Sequence, residues 1–160
     1  ENYIARLIQK GYRVAICEQM EAAGPGKKLV NREVTKVITP GTATSSNILQ
    51  GKRNNFLAAI HGDALAYADV STGTFRVTLV SPAELTAQIE SLQIKEVLSS
   101  RPLPDLTVLQ TTLETWVFDY DYSSRLLREH FGFANFDGLF PARQQPDLVP
   151  ACGALLPYLK

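Results

Sequence analysis

Apolar residues at Tyr3, Ile4, Leu7 and Ile8 recur at helical spacing, and Gly11 is placed to end that helix just past its C-terminus. Residues 13–20 (RVAICEQM) form a short apolar run of strand character, and residues 21–28 (EAAGPGKK) read as a Gly/Pro loop with a basic exit. Residues 32–39 (REVTKVIT) alternate and carry β-branched side chains, so they predict a second strand, stopped by Pro40-Gly41. Ser, Thr, Gly and Asn then dominate up to Arg53, and from Asn54 the pattern changes. Three strands follow over 56–60, 64–70 and 74–80, joined by turns at Gly62-Asp63 and 71–73, which predicts an antiparallel meander.

Ser81, Pro82 and Glu84 have the spacing of an N-cap, a first-turn proline and a capping-box acid, with Leu85, Ile89 and Leu92 as the inward stripe of the helix they open. Residues 96–98 read as a buried strand of parallel type, and 108–112 and Trp116-Val117 as weaker strands. A helix is predicted over 122–131, with Leu126 and Leu127 inward. From Leu148 the tail places Leu155, Leu156 and Leu159 at helical spacing, where Pro157 is expected to kink or break it. The order predicts an α/β fold on a mixed sheet, the order of the ribonuclease H-like fold. The organisation expected is a first unit over 1–42, a linker over 43–53 and a second unit over 54–160.

Length and composition narrow the function classes. At 160 residues the chain holds about one domain, or one domain and a piece of another. With 45% hydrophobic and 20% charged residues it is neither a disordered nor a coiled-coil composition. It has no apolar stretch long enough for a membrane span and no secretory leader, and is expected to be cytoplasmic. Helical periodicity is already running at Glu1, so a piece of a longer chain is expected. The net charge of +0 hides an asymmetry: residues 1–53 carry nine Lys/Arg against four Asp/Glu, and the remainder carries seven against twelve. A basic first third invites polyanions. Cys17 and Cys152, flanked by apolar residues, predict two buried, reduced thiols.

Little catalytic chemistry is encoded. Gly24-Pro25-Gly26-Lys27 lacks the first glycine and the Ser/Thr of a phosphate loop, since Glu21 and Lys28 stand at those positions, and Leu29 replaces the third glycine of a dinucleotide loop. His61 and His130 are the only histidines, without cysteines at ligand spacing, so no metal site is expected. Asp69 is the one enzymatic temptation. In a ribonuclease H-like nuclease a first-strand Asp joins other carboxylates around two metal ions, here Glu90, Glu96, Asp119 or Asp121. The competing reading is a strand-end Asp bonded to turn backbone. For nucleic acid, Arg32 and Lys36 are four apart in a strand and are expected on one face, with Lys27 and Lys28 on the preceding loop.

The blocks GYRVAICEQM (11–20) and REVTKVITPGT (32–42) resemble the end of the mismatch-recognition domain of the bacterial MutS family, and ADVSTGTF (68–75) resembles the hairpin of the connector domain that follows it. The resemblance runs along essentially the whole chain. It implies a ribonuclease H-like connector preceded by a partial α/β recognition domain. It also implies part of a dimeric sensor of mismatched double-stranded DNA that uses ATP and Mg in a distant domain, so that these residues need no cofactor and carry no catalysis. The family's Phe-x-Glu wedge is absent, since no Phe here has Glu two residues later, and is expected upstream; the phosphate-loop ATPase is expected downstream. By carry-over Arg32 is the leading DNA-backbone candidate, followed by Lys27, Lys28 and Lys36. The connector is expected to contact other MutS domains and a second subunit, and to dock MutL on the helix face holding Arg125, Arg128 and Glu129.

Overall fold

The structure, a computed structural model, describes residues 2–20, 31–43, 54–136 and 138–159. Helix α1 (Asn2–Gln9) ends at Gly11, whose φ of 85° suits a residue without Cβ. It leads into strand β1 (Val14–Gln19), which pairs antiparallel with β2 (Arg32–Ile38) as a two-stranded sheet.

The second unit is built on one five-stranded sheet. Strands β3 (Leu57–His61), β4 (Ala64–Asp69) and β5 (Thr74–Leu79) form the expected antiparallel meander. Helix α2 (Leu85–Ser91) then returns the chain, so that β6 (Glu96–Ser99) lies parallel to β3 and β7 (Leu109–Thr112) parallel to β6. The order β5-β4-β3-β6-β7 gives the mixed sheet that the ribonuclease H-like reading requires. A 3-10 turn (Thr115–Phe118), α3 (Tyr120–Phe131) and α4 (Leu148–Leu159) complete it.

Period-two alternation sends β3 side chains to two cores. Ala58 and Ile60 join Leu65, Val97 and Ile89 of α2 on one face; Leu57 and Ala59 join Leu98, Leu127 of α3 and α4 on the other. The α4 face is alanine-rich (Ala59, Ala64, Ala66, Ala68), which lets a helix lie close. Nine consecutive residues of α4, Leu148 to Leu156, are buried, as suits a helix apolar all round. A Cβ on Gly153 would fall on Ser123, itself 0% exposed, so α3 and α4 cross through two small residues.

Several expectations are corrected. The tail helix runs on through Pro157 to Leu159; the proline sits in the last turn, so the helical bond it removes, to the Gly153 carbonyl, lies at the end where the helix stops. Trp116-Val117 belongs to the 3-10 turn instead of a strand. Helix α3 starts at Tyr120 because Asp119 caps it, accepting the Tyr122 N–H at 2.9 Å. Helix α2 starts at Leu85: Ser81 bonds the Glu84 side chain at 2.6 Å, and its carbonyl accepts the Glu84 N–H, so the two form a turn ahead of the helix. Cys17 is exposed, while Cys152 is buried in the core, where desolvation pushes its thiol up to about 12. Among the described residues no helix is long and apolar enough to cross a membrane.

Candidate functional site

The hairpin carries the basic candidates, but not on one face. Its register runs Ile16↔Lys36 and then Cys17↔Val34, which leaves Thr35 without a cross-strand partner, a one-residue bulge. Arg32 pairs with Gln19 and Lys36 with Ile16. Gln19 and Ile16 are an odd number of residues apart on β1, so Arg32 and Lys36 lie on opposite faces. The expectation of a shared face fails because the bulge shifts the alternation. Lys36 shares its face with the cross-strand pair Glu18↔Glu33, which dilutes its positive charge; Arg32 is exposed on the other, beside exposed Val34 and Val37. Lys27 and Lys28 lie outside the described residues.

The base of the hairpin, where Val14 pairs with Ile38, is fastened to the five-stranded sheet. Arg13 Nη2 donates to the Gln110 carbonyl at 2.7 Å and to Thr111 Oγ1 at 2.9 Å, both on β7. After β2 the chain enters the sheet's core: Thr39 is 3% exposed and Thr42 folds back on it through a 2.9 Å hydroxyl pair. The Gly41 N–H donates to Glu96 Oε2 at 3.2 Å, and a Cβ there would stand 2.8 Å from Leu57 Cδ1 and 3.0 Å from that oxygen, which requires glycine in the Thr-Pro-Gly-Thr block. Asn55 Nδ2 donates to the Pro40 and Ala43 carbonyls at 2.7 and 3.2 Å.

Glu96, on β6, is 0% exposed. Besides Gly41 it accepts the Thr111 hydroxyl and the Tyr158 hydroxyl of α4, each at 2.6 Å on Oε1. Burial and the Glu96 bond hold the Tyr158 phenol above its ordinary value, against the opposing pull of Thr111 and Arg13. Arg13, Thr111 and Tyr158 were not candidates from sequence. A signal was present in the charged Glu opening the apolar strand Glu96-Val97-Leu98.

The carboxylates weighed for nuclease chemistry do not meet. Asp69 is 1% exposed and accepts the Ser71 N–H (2.9 Å), the Ser71 hydroxyl (2.6 Å) and the Asn55 N–H (3.0 Å). Burial alone would raise its carboxyl, but the bonds from the Ser71 side chain and the Asn55 and Ser71 backbone outweigh it and the net shift is downward. Glu96 is taken by Gly41, Thr111 and Tyr158, Asp119 by its cap, and Glu90 and Asp121 are exposed. Among the described residues no three His, Cys, Asp or Glu side chains gather where a metal ion could be held.

On α3, Arg125, Arg128 and Glu129 are all exposed, opposite buried Ser123 and Leu127. The Arg125 guanidinium stands 6.0 Å from the centre of the Tyr122 ring, which meets Trp116 edge-on at 5.1 Å. Trp116 is 59% exposed, an aromatic neighbour of this face that the strand reading missed.

Residues 1–47 match the family model for MutS domain I, and residues 55–160 match that for MutS domain II. The chain belongs to the MutS family. Relatives named DNA mismatch repair protein MutS include those of Solibacter usitatus, 48% identical, Dehalococcoides mccartyi strain CBDB1, 39%, and Chlorobaculum parvum, 35%. Each match covers 100% of this chain and 20% of the relative, so the chain spans about a fifth of the length of these MutS proteins. In MutS terms, the hairpin lies in the domain I match and the five-stranded sheet in the domain II match.

Proposed function

We propose that this chain is a non-catalytic module of a mismatch sensor. Its hairpin rests on the backbone of double-stranded DNA, its connector docks MutL and neighbouring MutS domains, including those of a second subunit, and the joint between them carries the signal. The observation that bears this reading is the fastening of one end of the hairpin to a buried polar joint, while Arg32 is exposed at the other. Six residues of strand put Arg32 roughly 20 Å from the base. Arg32, with Lys27 and Lys28 on the adjoining segment, supplies phosphate contacts that position a duplex without reading it; Lys36, beside two carboxylates, contributes less. The cluster of Trp116, from the 3-10 turn, with Tyr122 and Arg125 of α3 supplies the anchor type that sets affinity, with Arg128 and Glu129 as charged rim. Mismatch wedging and nucleotide turnover are not assigned to these residues.

A gel shift of the 160-residue chain on a G·T duplex and its matched control tests the DNA half. Binding is expected to be weak, to fall steeply with salt and to be equal on both duplexes. Arg32→Ala should weaken both alike and lower the slope of log affinity against log salt by about 1. Discrimination beyond about tenfold would place mismatch reading inside this chain and overturn the division of labour.

A further inference from the structure

Glu96 receives bonds from three directions. Gly41 brings β2, the Arg13–Thr111 relay brings β1, and Tyr158 brings α4. Every bond runs into the carboxylate, which has nothing to donate. An apolar residue of similar volume would satisfy none of Thr111, Tyr158 or Gly41 and would leave these donors without their acceptor, which costs stability. Burying a carboxylate on the face of Leu57 and Leu98, each 0% exposed, is itself costly unless its bonds are made, which ties Glu96 to the one arrangement that brings these donors together.

We propose that Glu96 is a coupling residue of the module, a side chain through which a displacement of the hairpin strands is handed to β6 and α4. It is a positioning residue, and the inference rests on the coupling role proposed above. The two oxygens divide the labour. Oε1 holds Thr111 and Tyr158, both on the connector side, and Oε2 holds Gly41. In Glu96→Gln the amide oxygen can keep the two hydroxyls, while its NH2 then faces the Gly41 N–H, donor against donor. That substitution cuts β2 loose and leaves α4 and β7 attached.

Amide hydrogen exchange on the 160-residue chain reads this directly. In Glu96→Gln the Gly41 amide should exchange on the order of tenfold faster, while the Val97 and Leu98 amides keep their protection. Arg13→Ala removes the other arm from an exposed position that leaves the core intact, and should also speed Gly41 exchange. Combined with Glu96→Gln it should add nothing at Gly41, because both arms end on one carboxylate. Should Glu96→Gln fail to fold, Arg13→Ala alone decides. Unchanged Gly41 exchange in the folded variants, or equal acceleration of every amide, would overturn the inference. A hairpin that moves independently with Glu96 intact would instead defeat the coupling role itself.

Discussion

Asp69 shows how a motif that resembles catalysis resolves at the scale of one residue. Its two oxygens tie the β4–β5 turn to Asn55 at the start of the connector. Because its folded pKa is depressed, its contribution to stability is complete well above its unfolded value of about 3.8 and is lost as pH falls through the lower folded value. Asp69→Asn should therefore cost about 1–3 kcal/mol in a urea melt at pH 7 and progressively less as pH falls through the lowered folded value, where the parent carboxyl takes up its proton. A loss that does not shrink as the pH falls would mean that the charge is unimportant. Sequence gave both readings of Asp69, and only the positions of its donors, up to 14 residues away, separate them. Glu96 was less legible still. Its partners are 15, 55 and 62 residues distant, so no local pattern gathers them.

At the scale of elements, the strands were readable because alternation and β-branching are local properties, and the meander followed from its short turns. The misreadings share a cause in tertiary context. A bulge is set by the partner strand, so the even spacing of Arg32 and Lys36 was no guide to their faces. A helix buried all round has no polar stripe, so its depth could not be seen in the tail. The polar face of α3 was visible, and its proposed role makes a prediction. Reversing Arg125 and Arg128 together to Glu should slow association with MutL and change its salt dependence, leaving the circular-dichroism melt nearly unchanged, since both side chains are exposed. Unaltered association at low salt would remove this face as the docking surface, and a lost melt would make the arginines structural. Trp116→Ala should act differently, on the dissociation rate, because an aromatic anchor contributes mainly once it is desolvated.

Across the whole molecule, the segment from Thr39 to Ala43 matters more than its place between two units implies. Thr39 and Ala43 are 3% and 4% exposed, and their neighbours bond Glu96 and Asn55. A chain of residues 54–160 retains both apolar cores and should fold. It should nevertheless unfold about 1–3 kcal/mol sooner in urea than a chain of residues 39–160, because Glu96 and Asn55 lose backbone partners. Equal stability would show that the segment merely lies on the sheet. The family and the α/β architecture were legible from motif blocks and element order. The joint was not, because it exists only where both strands of the hairpin, at its base, and three elements of the connector converge. Coupling through it predicts that hairpin and sheet move as one body, which amide 15N relaxation of the 160-residue chain measures most directly. The amides of β1 and β2 should report the same rotational correlation time as those of β3 to β7. A distinctly shorter time for the hairpin would contradict coupling through the joint.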